Sequence, residues 1–166
     1  MRWPRFSSWL IAATGYLVVA GIIGLSAAAG WFYWDRVQTR GEQAARAVLP
    51  QLAAKEIPEV FAYDYQTVER SLAEAYPLLA PDYRQEFQKS ANAQIIPEAK
   101  KREVVVQANV VGVGVMSAKR NSASVMVYLN RTVTDKSRQP LYDGSRLRVD
   151  FKKIGDKWLI AYITPI

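Results

Sequence analysis

Trp9 to Trp34, WLIAATGYLVVAGIIGLSAAAGWFYW, runs for 26 positions without a charged residue. An α-helix rises about 1.5 Å per residue and a bilayer's hydrocarbon core is about 30 Å thick, so Leu10 to Gly30 is long enough to cross it. Trp9 stands at one edge, and Trp31, Phe32, Tyr33 and Trp34 stand at the other. Amphipathic rings at both ends suit the two headgroup regions. The run predicts a membrane-spanning helix over residues 9–34, preceded by a short tail at 1–8. A cleaved signal peptide is the competing reading, with Ala27 and Ala29 as its small-x-small site. The run is longer than an h-region of about 7–15 residues, which favours an uncleaved anchor.

Flanking charge sets the orientation. Arg2, Arg5 and the terminal amine precede the run without an acid, while Asp35, Arg36, Arg40 and Glu42 nearly cancel after it. The positive-inside rule then places the amino terminus in the cytoplasm and the rest of the chain outside the cell membrane. Whatever follows the run must be explained as something held at a membrane surface.

Asp35 to Ile166 is long enough for one domain with a core of its own. Cysteine and histidine are absent. Disulfides, thiolate chemistry, Ser-His-Asp and Cys-His sites and His-ligated zinc are therefore excluded, and no metal or cofactor is expected. Net charge is +7, of which Arg2 and Arg5 account for two. The remaining basic residues are scattered, with Lys100, Lys101 and Arg102 the one run. Nucleic acid needs a concentrated basic face, so it is not an expected partner.

Within the run, Ala20, Gly24 and Ala28 recur at four-residue spacing with Gly21 beside them. Small residues so placed let another helix approach closely, which makes this a candidate docking face. Residues 35–56 read as a helical stalk, with Val37, Ala44, Ala45, Val48 and Leu49 as its stripe and Pro50 as a kink or stop. The domain is expected over 57–166. Pro58 reads as a turn or a helix start, and Asp64 or Thr67 as the cap of the next helix. Val68, Leu72, Ala75, Tyr76 and Leu79 form a helical stripe. Pro81 opens a further helix with Tyr83, Phe87 and Ala91, fading near Ala93.

After Pro97 the period changes from 3.6 to 2. Glu103–Met116 reads as a long strand with a bulge at Gly112 or Gly114. Ala123–Val133, Ser145–Ile154 and Lys157–Thr164 follow as strands, the last two joined by a Gly155-Asp156 hairpin turn. Val125, Val127, Leu129, Leu147, Val149 and Phe151 are the expected core of the sheet. Helices followed by strands indicate an α+β fold with a four-stranded antiparallel sheet.

Four phrases in this order resemble the actinobacterial Mce-associated membrane proteins. They are the Ala-rich helix after the run, FAYDYQTVERSLAEAYPLLAPDYRQEF (Phe61–Phe87), VVVQANVVGVGVMSAKRNSASVMVYLNRTVT (Val104–Thr134) and GDKWLI (Gly155–Ile160). The chain departs from that pattern at Arg70, where a capping box wants Glu or Gln, and at Pro50. The resemblance implies a cystatin-like cone akin to nuclear transport factor 2, a fold shared by the periplasmic domain of a type IV secretion assembly protein. It also implies a non-enzymatic accessory subunit of an Mce importer of lipid (fatty acid or sterol), with the permease, the substrate-binding subunits and membrane lipid as partners.

Three other functions remain open on the residues. A lipid carrier or sensor would enclose an apolar cavity, for which Tyr63, Tyr65, Tyr76, Tyr83, Phe87, Tyr128 and Trp158 are candidates; the same rings also serve as plain core. A hydrolase or isomerase would use Asp64 or Asp82 as base. An assembly factor of a secretion channel would share the topology.

Overall fold

The computed structural model describes the backbone of residues 6–166 and the side chains of 15–16, 20–26 and 28–166. The expectations for residues 1–5, and for the side chains of 9–14, 17–19 and 27, lie outside the described residues. The chain divides into two compact units, Met1–Arg40 and Gly41–Ile166.

One helix, α1 (Phe6–Phe61), carries the uncharged run, the expected stalk and the first residues of the expected domain without a break. Pro50 and Pro58 lie inside it, so Pro50 does not stop the helix, and Pro58 is neither a turn nor a helix start as the sequence predicts. A proline in a helix interior costs about 3 kcal/mol in a lost bond and a steric clash. Here the buried stripe Ala45, Leu49, Ala53, Ile57 and Val60 runs past both prolines. Burying a Leu, Ile or Val side chain stabilises by about 1.5–3 kcal/mol, so three such residues outweigh one proline's penalty. Pro58 also accepts the Ala62 N–H at 2.8 Å, closing the last turn.

The sheet has five antiparallel strands, one more than expected. The additional strand is β1 (Tyr63–Asp64), which pairs with Val106 and Val105. Two residues are too few to show an alternating pattern. Between β1 and the rest of the sheet lie α2 (Val68–Ala75), a 3₁₀ turn (Tyr76–Leu78), α3 (Pro81–Ser90), a π-type turn (Ala91–Ile95) and α4 (Ile96–Arg102). The helical region therefore does not end near Ala93. Pro97 sits in the first turn of α4, where its missing N–H costs nothing, and α4 ends at Glu103 in the left-handed region (φ 53°).

β2 (Val105–Ala118), β3 (Ser122–Thr134), β4 (Leu141–Ile154) and β5 (Lys157–Pro165) then follow in order. The expected bulge in β2 is present, and there are two. The register slips between Val110 and Gly112 and between Val115 and Ser117, so Val111 and Met116 are the extra residues. A third slip on β5 makes Ala161 the extra residue, with Ile160 opposite Phe151 and Tyr162 opposite Asp150. Gly155, at φ +61°, makes the β4–β5 turn as expected.

One face of the sheet is covered. Val125, Val127, Leu129, Leu147, Val149, Phe151 and Ile160 pack with the α1 stripe, Ala75 and Leu79 into the main core. Val68, Leu72, Ala91, Ala99, Val104 and Val106 form a smaller cluster under α2 and α4.

Candidate functional site

Ala20, Gly21, Gly24 and Ala28 are all exposed on α1. A Cβ added at Gly21 or Gly24 would meet nothing within 4 Å. Ile22, Ile23, Leu25, Trp31, Phe32, Tyr33 and Trp34 are exposed as well. A contiguous apolar surface of this kind on one helix marks a protein or membrane contact. Among the described residues, no helix is long and apolar enough to cross a membrane.

Of the seven aromatic residues expected at a cavity, Tyr76, Tyr83 and Phe87 lie together. Tyr76 and Tyr83 flank Phe87, with ring centroids 6.3 and 6.2 Å away, and Tyr83 also meets Tyr162 at 5.2 Å. Burial pushes the Tyr83 phenol up to about 12, helped by Tyr162 and Glu86. Trp158 packs, half-buried, on the main core, whereas Tyr63 packs on the smaller cluster. The Tyr65 hydroxyl accepts a bond from Gln66 Nε2 at 3.1 Å. Tyr128 stands on the uncovered face of the sheet and is exposed. Three surface pockets are lined by other residues and hold none of these seven.

Asp64, a candidate base, instead closes a turn. Its Oδ1 accepts the Gln66 N–H at 2.8 Å and its carbonyl accepts the Thr67 N–H at 2.9 Å. Thr67 occupies the cap position of α2 without a side-chain cap bond. Asp82 is exposed in the first turn of α3. Among the described residues, no group of three or more acidic side chains is placed to hold a metal.

Sequence reasoning missed Glu56. It lies on the core side of α1, and its Oε2 has no hydrogen-bond partner among the described residues. Burial pushes its carboxyl up to about 7, Glu59 adds to this, and Lys55 opposes it. Its place in the period was legible, since it lies three residues after Ala53 and four before Val60. A charged type in a buried stripe reads as solvated unless the tertiary contacts are known.

The uncovered face of the sheet carries Met126, Tyr128, Arg146, Arg148 and Asp150 on β3 and β4. Tyr128 stands opposite Arg146, and Met126 opposite Arg148. Arg148 Nε donates to Asp150 Oδ1 at 3.1 Å. Tyr, Met and Arg are the side chains enriched where protein surfaces meet.

The fold has counterparts among solved structures. An IcmL-like type IV secretion system protein from Legionella pneumophila matches with a TM-score of 0.62 and 15% identity, over 73% of this chain and 93% of that one. The periplasmic domain of DotI matches at 0.62 and 11%, over 72% and 94%. The VirB8 protein of Agrobacterium tumefaciens matches at 0.53 and 12%, over 67% and 84%. The fold is of the VirB8 type.

At the level of sequence, an outer membrane protein of Mycobacterium tuberculosis is 25% identical over 167 residues, covering all of both chains. An uncharacterized protein of the same organism is 28% identical over 143 residues, covering 84% of this chain and 64% of its own length. No protein-family model matches the chain.

Proposed function

We propose that this chain is a non-enzymatic accessory subunit of an Mce-type lipid importer, anchored in the cell membrane by residues 9–34 with its VirB8-type domain outside. The observation that carries the reading is the joining of an uncharged 26-residue run to that domain through one unbroken helix. The exposed face of Ala20, Gly21, Gly24 and Ala28 is suited to a helix of the permease. The outer sheet face, with Tyr128, Arg146 and Arg148, is suited to the substrate-binding subunits. Full-length similarity to a mycobacterial outer membrane protein supports a place in the cell envelope.

A second reading is favoured by several of the structural neighbours, which are described as type IV secretion system proteins. In it the chain is an assembly factor of a secretion channel. Affinity purification of the tagged full chain from native membranes separates the two. Recovery of Mce permease and substrate-binding subunits is the expected result. Recovery of secretion-channel components would move the chain to the second reading, and recovery of the chain alone would overturn both.

A further inference from the structure

We propose that the uncovered face of the sheet holds a binding groove for a neutral saccharide chain. Two cross-strand rows build it. Gln107 on β2 stands opposite Thr132 on β3, which stands opposite Tyr142 on β4. Two residues along, Asn109 stands opposite Asn130, which stands opposite Gly144. Successive strand residues face opposite sides, so these six share one face. With Ala108, Arg131 and Asp143, which lie between the two rows, they line a groove of about 540 Å³, within the size range of small-molecule sites.

The chemistry of the lining is narrow. Three carboxamides, a threonine hydroxyl and a phenol supply donors and acceptors without net charge. A sugar hydroxyl both donates and accepts, and a carboxamide offers the matching pair on one planar group. Tyr142 is 77% exposed, so its ring is free to lie against the apolar C–H face of a pyranose. A Cβ at Gly144 would lie 3.6 Å from Asn130 Oδ1, so glycine keeps the second row open.

The charges of this region, Arg131 and Asp143, also line the groove and are paired with each other. Arg131 and Asp143 stand between the two rows and bond to each other and to Ser145, while the Arg131 guanidinium lies 5.7 Å over the Phe61 ring. Both charges of the lining are spent on each other, so an ionic ligand finds no unpaired counter-charge in the groove. A lipid tail would leave the amides without partners, at a desolvation cost. A neutral polyhydroxylated chain meets both conditions.

The test uses the full chain in a detergent without a sugar headgroup. Maltohexaose and chitotetraose are titrated by calorimetry, with circular dichroism confirming that each variant is folded. At least one oligosaccharide is expected to bind the parent. Asn109→Ala and Tyr142→Ala should each weaken it by about tenfold, the scale of one lost hydrogen bond or stacking contact. Lys152→Ala, on the same face but outside the groove, should bind as the parent does. Absence of binding at millimolar oligosaccharide would overturn the proposal. So would equal binding by the Asn109 and Tyr142 variants, or displacement of both sugars by a short neutral Gly-Ser peptide.

Discussion

Arg120, in the turn between β2 and β3, stands against Gly41 of α1 so closely that a Cβ on the glycine would lie 2.9 Å from Arg120 Cγ and 3.2 Å from its Cα. The hairpin tip and the helix therefore touch at a point where only hydrogen fits. Helix propensity alone favours Ala over Gly by about 1 kcal/mol. The near approach of backbone reverses that preference, because a Cα atom cannot swing aside as a side-chain end can.

Gly41→Ala is expected to lower stability by about 1–3 kcal/mol, the range for overpacking. Gly114→Ala is the control, since a Cβ there meets nothing within 4 Å. It should be neutral or stabilising by a few tenths of a kcal/mol, because glycine in a strand interior is unfavourable. Thermal unfolding of the two variants beside the parent checks the pair. Equal loss in both would mean that the Arg120 contact is not the cause.

Glu56 gives the domain a pH dependence of unusual sign for a carboxylate. Its folded value of about 7 lies above the ordinary 4.5, so the folded state holds the proton more tightly. Stability from this group is full below pH 4.5 and declines as pH rises through 7. Glu56→Gln, which cannot ionise, should be more stable than the parent by roughly 2 kcal/mol near pH 8, with the difference vanishing near pH 4.5. Chemical denaturation at the two pH values decides it. An offset that is the same at both would show that Glu56 titrates normally.

Trp158 is half-buried against the main core, opposite Lys153 on β4. Trp158→Ala should cost about 2–3 kcal/mol, below the roughly 3–5 kcal/mol of a fully buried ring. A variant as stable as the parent would mark Trp158 as a contact residue, and urea titration followed by far-UV circular dichroism distinguishes the two.

Gly24→Leu tests the small-residue face of α1. Open space around Gly24 means that the leucine is accommodated within the chain itself. Loss of partner subunits on purification, with the variant still in the membrane fraction, is the expected result if another helix docks there. Full recovery would reduce the run to an anchor.

Much of the sheet was legible in the sequence. Leu147, Val149 and Phe151 alternate with Arg146, Arg148 and Asp150, and that pattern places the core face of β4 correctly. The bulges were legible only as glycines, whereas the residues actually extruded are Val111 and Met116. The passage of α1 through Pro50 was hidden because a local rule was outweighed by burial of residues brought together from distant strands. The candidate groove was hidden for a related reason. Gln107, Thr132 and Tyr142 are unremarkable polar residues in sequence, and only the register of three strands sets them in one row.

β1 covers the free margin of β2 at Val105 and Val106, and among the described residues no other strand pairs with the rest of that margin. A bare row of amides and carbonyls invites a neighbouring polypeptide to zip on, copy after copy. The two extruded residues break the even spacing that such zippering needs, and each adds local twist. The chain thus leaves its longest open border irregular, a shape that resists polymerisation where molecules are crowded side by side.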